Sequence, residues 1–152
     1  MTKVSEVLNA PHSIEFAYTR STGPVIGAFL TGLRRRQVLG APDHSGRVVV
    51  PPPEYDATSA AAISPESMVP VGPEGTVASW SWNPRPRPGQ PFDRPFAWAL
   101  VTLDGAGTSM LHALDAPRET VATGMRVRIR WAGEPTGTIH DIACFEPVAA
   151  PE

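Results

Sequence analysis

The sequence is poor in cysteine, in lysine and in long apolar runs. Among its 152 residues there is one cysteine, Cys144, and one lysine, Lys3. A single thiol excludes an intrachain disulfide, and no apolar run approaches the roughly 20 residues of a membrane span. The first residues lack the apolar core of a secretory signal. We therefore expect a cytoplasmic protein with no membrane partner.

The four histidines form no evident catalytic pair. They are His12, His44, His112 and His140. The first two lie in polar, turn-rich segments and are predicted at the surface, whereas His112 alternates with Met110 and Leu114, which predicts a satisfied histidine in a barrel wall or an interface. His140 and Asp141 are adjacent in a predicted strand and point to opposite faces. An acid–base group needs a neighbour that tunes it, so we expect none of these histidines to be catalytic.

Cys144 is predicted to be a structural thiol. No cation stands beside it in the sequence to lower its pKa, and Phe145 follows it, which favours a buried and inert side chain. Without a nucleophile or an acid–base group, the chain is expected to be non-catalytic. We also expect no tightly bound cofactor.

Prolines and glycines are abundant, with 18 and 13 residues respectively, and they predict many short elements separated by turns. One amphipathic helix is predicted over residues 24–39, started by Ser21 or Thr22 with Gly23. Residues 46–53 predict a short strand that three prolines end, and residues 57–73 predict a loop. The apolar face of the helix consists of Ile26, Phe29, Leu30 and Leu33.

Five strands are predicted in the remainder of the chain. They cover about residues 76–82, 96–103, 108–114, 125–131 and 138–145. In the first of them, strict alternation places Val77 with Ser79 and Ser81, opposite Trp80 and Trp82. Five short strands with a longer connection between the third and fourth are typical of a Greek-key barrel of the OB type.

The positive charge consists almost entirely of arginine, and one cluster ends the predicted helix. Arg34, Arg35 and Arg36 either interact with the helix dipole or contact the phosphate groups of a ligand, because guanidinium groups suit phosphate oxygens. Both interpretations remain open from the sequence.

A second group of arginines lies in the segment Pro-Arg-Pro-Arg-Pro-Gly-Gln-Pro-Phe. Arg85 and Arg87 are separated by prolines, and such a stiff segment loses little entropy on docking. We predict that it contacts a partner protein or lines a substrate channel. Trp82 lies just before this segment and Phe92 ends it, and both are included among the predicted contact residues.

Arg126, Arg128 and Arg130 form a cationic stripe on one face of the fourth barrel strand. On an OB fold such a stripe raises the question of single-stranded nucleic acid, which also requires stacked aromatic side chains on the same face. Trp131 lies on the opposite face of this strand, and the net charge of −2 gives no general attraction to phosphate. The sequence therefore predicts a solvated stripe, or one facing an acidic partner, and no nucleic-acid partner.

Several motifs, taken in order, resemble a family of two-part proteins long classed as a domain of unknown function. Its members have an N-terminal helix, a rubredoxin-like zinc ribbon and a C-terminal OB fold. The resembling segments are Phe29–Arg36, Gly46–Pro52, Gly75–Ser81, Pro95–Asp104, Thr123–Arg128 and Cys144–Pro147. The resemblance implies a mainly β protein, with the helix and ribbon layer in residues 1–72 and a five-stranded OB-fold domain in residues 73–152.

The zinc ribbon is degenerate in this sequence. Four cysteines normally hold the metal in this family, and their places are taken by Pro42, Ser45, Asp56 and Ser59. Without thiolates a structural zinc site is not expected. We expect the layer to be held by apolar contacts of Val48, Val50 and Tyr55, or by a partner.

Members of the family typically assemble with thiolase-like proteins, including lipid-transfer proteins that act as aldolases on acyl-CoA thioesters. This sequence is most similar to the ribbon-degenerate type that accompanies retro-aldol cleavage of a steroid acyl-CoA. The resemblance implies an accessory subunit of a hetero-oligomer, which stabilises its partner, shapes the acyl-CoA entrance and shares the coenzyme A thioester with it. The phosphates that Arg34, Arg35 and Arg36 are candidates to contact are then those of coenzyme A. Two alternatives remain open: a hot-dog-fold enoyl-CoA hydratase as the partner, and a single-stranded nucleic-acid-binding OB module.

Overall fold

A five-stranded barrel and a smaller sheet organise the chain, and the computed structural model describes residues 10–148 of it. The helix and the strands are α1 (Pro24–Arg34), β1 (Val38–Pro42), β2 (Val48–Val49), β3 (Val69–Val71), β4 (Glu74–Asn83), β5 (Phe96–Leu103), β6 (Ser109–Leu114), β7 (Arg126–Trp131) and β8 (Ile142–Pro147). Single 3₁₀ turns occupy Pro65–Ser67, Arg118–Thr120 and Ile139–Asp141. The barrel order is β4-β5-β6-β8-β7, closed by pairing of β7 with β4, and the small sheet has the order β2-β1-β3.

The predicted OB-type barrel is confirmed. All its neighbouring strands are antiparallel except β6 and β8, which run parallel and meet at the pair Leu114 and Phe145. Helix and barrel share one apolar cluster, in which Phe29 and Leu33 of α1 lie with barrel residues such as Val77 and Val101. The two parts of the chain therefore pack around a continuous core, and the predicted division after residue 72 stays a prediction.

The predicted faces of the first barrel strand are wrong, because β4 contains a bulge. The register with β5 shifts between Val77 and Ser79, so Ala78 is the additional residue. A bulge reverses the side-chain alternation beyond it. Trp80 therefore packs against the same core cluster as Val77, whereas Ser79 is exposed.

The last strand begins later than predicted, at Ile142. Residues 139–141 form a 3₁₀ turn instead, and the Asp141 side chain organises the loop before it. The Asp141 carboxylate, 1% exposed, accepts the N–H groups of Thr136 at 2.7 Å and Gly137 at 2.8 Å. The turn thus depends on a buried carboxylate rather than on strand pairing.

Helix α1 is shorter than the predicted range of residues 24–39. It ends at Arg34, because Arg36 adopts a positive φ of 58° and β1 begins at Val38. Phe29 and Leu33 of the predicted apolar face are buried. The predicted loop over residues 57–73 also contains β3, whose Val71 pairs with Val38 of β1.

The start of helix α1 is capped from a distant part of the chain. Gly23 occupies the N-cap position and has no side chain to donate or accept. The carboxylate of Glu54 accepts the N–H of Ile26 at 2.7 Å and that of Val25 at 3.3 Å. Glu54 therefore replaces the predicted cap by Ser21 or Thr22, and it satisfies two of the free N–H groups that every helix start presents.

A buried carboxylate joins the two turns of the degenerate ribbon. Asp56 is 6% exposed, and its Oδ1 accepts the N–H of Ser59 at 2.7 Å and of Thr58 at 2.9 Å. Its Oδ2 accepts the N–H of His44, in the other turn, at 2.8 Å. These hydrogen bonds, led by that from Ser59, hold the pKa of Asp56 well below its usual range. The expected contribution of Tyr55 is wrong, since this side chain is 63% exposed.

We predict that Asp56→Ala lowers the midpoint of thermal unfolding by several degrees, because three N–H groups lose their common acceptor. Glu119→Ala, at an exposed carboxylate, is the matched control and is expected to leave the midpoint unchanged. The difference between Asp56→Ala and the unaltered protein should be complete above about pH 4 and shrink below it, since a lowered folded-state pKa stabilises only while the group is ionised.

Differential scanning calorimetry with and without a metal chelator completes this test. The midpoint of the unaltered protein is expected to be the same in both conditions. A fall on chelation would show that a metal ion, rather than the Asp56 carboxylate, holds the ribbon layer together.

Candidate partner-binding surface

Strand β5 is apolar on both faces, and its outward face supplies an exposed patch. Leu100 on β5 pairs with Leu111 on β6, and these side chains are 40% and 61% exposed. Trp98 lies beside them, and Ile139 of the last 3₁₀ turn is 38% exposed. We call Trp98, Leu100, Leu111 and Ile139 the outer strip. Contiguous exposed apolar side chains on a barrel wall are typical of an interaction surface.

A groove of about 530 Å³ borders the outer strip. Three separate elements form it: the proline-rich connection between β4 and β5, the wall of β5 and β6, and the turn that Asp141 organises. Its lining is mostly apolar and consists of Gly89, Gln90, Pro91, Trp98, Leu111, His112, Ile139, His140, Ile142 and Ala143.

The proline-rich connection, residues 84–95, is held in one shape by polar contacts, and we call it the arm. The side-chain oxygen of Gln90 accepts the Nδ2–H of Asn83 and the backbone N–H of Arg87, each at 2.9 Å. Arg85 and Arg87 are exposed, and neither makes an ion pair with the described part of the chain. The arm therefore presents two uncompensated guanidinium groups on a pre-organised loop.

An aromatic and ionic chain ties the returning half of the arm to the barrel. The ring of Phe92 meets Phe96 edge-on at 5.4 Å between centroids. The Arg94 guanidinium lies 4.8 Å from the Phe92 ring centre and bonds to Asp115 at 2.7 Å. Phe92, predicted from the sequence as a partner contact, is thus half-buried and helps to hold the arm against the barrel. Its role toward a partner stays a prediction.

The other predicted contact residues lie on different elements. Trp82 is half-buried, packs against the core and lines a second cleft with Arg94 and Asp115. The helix-end arginines Arg34, Arg35 and Arg36 are all exposed. Helix α1 packs against the last 3₁₀ turn. In the loop just before that turn, Gly137 lies close to Arg34. The helix end and the groove therefore border the same loop.

The cationic stripe on β7 is compensated within the chain. Each of its arginines bonds to one or two carboxylates at 2.7–3.3 Å. Such pairs satisfy the guanidinium groups and leave them less available to a phosphate backbone. The pairs are Arg126 with Asp104 and Glu74, Arg128 with Glu146, and Arg130 with Asp115 and Glu146.

His112 lies on the inner side of β6 at the edge of the groove. It is 9% exposed, its ring meets Phe145 edge-on at 6.0 Å, and its Nδ1 is buried without a hydrogen-bond partner. The barrel position predicted from the sequence is confirmed, but the expectation of a satisfied ring is wrong for Nδ1. Burial lowers the pKa of the imidazole, so the ring is neutral near pH 7.

The remaining sequence candidates do not gather into a reactive site. His12, His44 and His140 are exposed, and Asp141 is committed to backbone N–H groups. Within residues 10–148, no three histidine, cysteine, aspartate or glutamate side chains cluster as metal ligands would. Over the same range, no helix has the length and apolar character needed to cross a membrane.

Sequence reasoning missed the outer strip, although one signal for it was present. Apolar residues on both faces of β5 indicate a strand that is covered on both sides. The outward side chain of Phe96 is covered by Phe92. The outward side chain of Leu100 remains exposed. Leu111 and Ile139 carried no such signal, because single apolar residues in the sequence do not reveal which of them become neighbours.

Comparisons with known proteins agree with this architecture. Residues 68–132 match the family described as the ChsH2 C-terminal OB-fold domain. In this range, the chain carries a ChsH2-type OB fold. The match runs from just before β3 through β7. Together with the two DUF35 structures described next, it confirms the predicted resemblance to the ribbon and OB-fold family. No curated protein matches the sequence.

Two solved structures resemble the chain around this ChsH2-type OB fold. One, a DUF35-family protein of unknown function from Sulfolobus solfataricus, is 22% identical, with 71% of this chain and 77% of that chain covered and a TM-score of 0.58. The other, the Ltp2-ChsH2(DUF35) aldolase, is 17% identical, with 85% and 98% covered and a TM-score of 0.60. At these identities the likeness establishes the fold alone.

Cys144 on β8 is predicted to be unreactive in the folded protein. It is fully buried against Phe96 and Ala113, and burial raises the pKa of its thiol to about 11. At about pH 8, where a free cysteine with a pKa of about 8.5 reacts readily, alkylation by iodoacetamide should proceed only after denaturation. Mass spectrometry that finds rapid labelling of the native chain would contradict the assigned burial.

The compensated stripe predicts no binding of single-stranded nucleic acid. Fluorescence anisotropy of a labelled oligonucleotide at low salt is expected to stay flat as the full chain is added, because Arg126 and Arg128 are already paired. Salt-dependent binding that Arg126→Gln and Arg128→Gln both weaken would instead support an OB module that binds nucleic acid.

Proposed function

We propose that this chain is a non-catalytic accessory subunit that docks onto a thiolase-like aldolase acting on acyl-CoA thioesters. The observation that carries the proposal is the outer strip, an apolar surface beside a pre-organised arm. Full burial of a side chain such as Leu111 is worth roughly 1.5–3 kcal/mol relative to exposure. A partner that covers four such side chains gains a substantial part of its binding free energy from this face.

The choice of partner is supported by the comparisons. The matched family is named for ChsH2, and the solved structure with the larger coverage is an aldolase composed of Ltp2 and ChsH2. An aldolase partner for this chain follows by analogy. The thiolase-like nature of that partner, the retro-aldol step and the steroid acyl-CoA substrate are proposed on the sequence resemblance.

The uncompensated arginines suggest how the subunit contributes beyond stabilising its partner. Arg85 and Arg87 on the arm and Arg34–Arg36 at the helix end offer guanidinium groups suited to phosphate or carboxylate oxygens. We propose that the arm helps to shape the acyl-CoA entrance of the partner. The reacting groups then belong to the aldolase, and substitutions in this chain act through assembly or substrate access.

The test is co-expression of the full chain with the candidate aldolase, followed by size-exclusion chromatography. We expect a stable complex that Leu111→Arg disrupts, because a charge would have to be buried in an apolar contact. Thr123→Arg introduces the same side chain at another exposed position and is expected to leave the complex intact. Thermal unfolding of both isolated variants should match that of the unaltered chain.

The same measurement separates the alternatives. Co-elution with a hot-dog-fold enoyl-CoA hydratase, in place of the thiolase-like protein, would reassign the partner. Separate elution from both would refute the accessory role. Aldolase turnover by the isolated chain would contradict its non-catalytic assignment.

A further inference from the structure

The segment before helix α1 carries large apolar side chains that nothing in the described chain covers. Ile14, Phe16 and Tyr18 are 66%, 80% and 78% exposed. Residues 10–22 make no backbone–backbone hydrogen bond with the described chain, so no other described segment occupies their N–H and C=O groups. Three exposed apolar side chains close together are typical of an interaction surface, and an exposed backbone without a partner in the described chain is able to pair with another strand.

The order of these residues is that of a half-buried strand. Ile14, Phe16 and Tyr18 alternate with residues that are polar or small, namely Ser13, Glu15, Ala17 and Thr19. In an extended conformation, period-two alternation places the apolar side chains on one face and the others on the opposite face. β-branched and aromatic side chains also favour strands.

We propose that residues 12–20 bind the partner subunit by adding a strand to a free edge of one of its sheets. The backbone would pair with that edge, and the side chains of Ile14, Phe16 and Tyr18 would enter apolar pockets beside it. The proposal rests on the proposed function, since it requires a second subunit, and it assigns a contact that the outer strip does not provide.

A second copy of this chain is a poor match for the segment. The barrel leaves only short stretches of strand edge unpaired, because β4 pairs with β7 only near its start and β6 pairs with β8 only at Leu114. These stretches are Ala78–Asn83 of β4 and Ser109–Ala113 of β6. In the small sheet, the outer strands β2 and β3 have two and three residues. The Val48 carbonyl of β2 already accepts the N–H of Gly107, and Pro70 of β3 has no N–H to offer. A segment of nine residues needs a longer edge, which points to a different protein.

The helix start is built so that this segment is free to dock. Glu54 caps α1 from the ribbon layer, so the helix does not depend on residues before Gly23. Gly23 itself has a positive φ of 82°, a backbone conformation that residues other than glycine seldom adopt. The segment therefore joins the helix at a position that the Glu54 cap and the Gly23 backbone define.

The first experiment measures backbone amide hydrogen exchange in the full chain, alone and in complex with the co-expressed thiolase-like subunit. Peptides covering residues 12–20 are expected to exchange rapidly in the free chain. In the complex, about half of their amides should be protected, because an added edge strand bonds through alternate residues.

The second experiment measures affinity with matched variants. Phe16→Ser should weaken the complex about tenfold or more, as expected for an aromatic side chain in a partner's pocket. Ala17→Ser introduces the same residue on the opposite face and is expected to bind as the unaltered chain does. Because Phe16 is exposed, Phe16→Ser should not change the thermal unfolding of the isolated chain.

The outcomes separate this proposal from the proposed function. A complex that Leu111→Arg disrupts, while Phe16→Ser binds normally and residues 12–20 gain no protection, would overturn the strand addition and leave the accessory role standing. Absence of any complex would refute the accessory role itself. A dimer of the isolated chain that Phe16→Ser dissociates would show that a second copy, rather than another protein, receives the segment.

Discussion

Closure of the barrel around β5 is the constraint on which the rest of the structure depends. β5 pairs along its length with β4 and β6, and its inward side chains Ala99, Val101 and Leu103 are fully or almost fully buried. Both faces of this strand are apolar. Its inward face packs in the core, and its outward face lies toward the surface. The outward face is covered by Phe92 of the arm at one end and remains exposed at Leu100.

Buried and half-buried carboxylates do much of the positioning around this barrel. Asp56 joins the two ribbon turns, Asp141 shapes the loop beside the groove, and Glu54 caps the helix. Each accepts backbone N–H groups that would otherwise be unsatisfied. The Asp56 carboxylate thus links the turn that contains His44 to the turn that contains Ser59.

Charge pairing separates the arginines into two groups. Those on β7, together with Arg94, bond to carboxylates of the same chain, and exposed pairs of this kind contribute little to stability. Their main effect is to compensate the positive charge of the arginines on the barrel surface. Arg85 and Arg87 keep their charge available, beside an apolar surface, which is the combination that a protein partner or a phosphorylated substrate recognises.

The sequence by itself determined the elements whose signal is local: the alternation of β5, β6 and β7 and the apolar face of α1. The tertiary structure alone decided the bulge at Ala78, the helix cap by Glu54, the link between the ribbon turns by Asp56 and the assembly of the outer strip. These features join residues that are distant in the chain, or shift the register by one residue, and local periodicity carries no information about either. The alternation of side chains along a strand is local, whereas the partners of a buried carboxylate or an exposed leucine depend on how the whole chain closes.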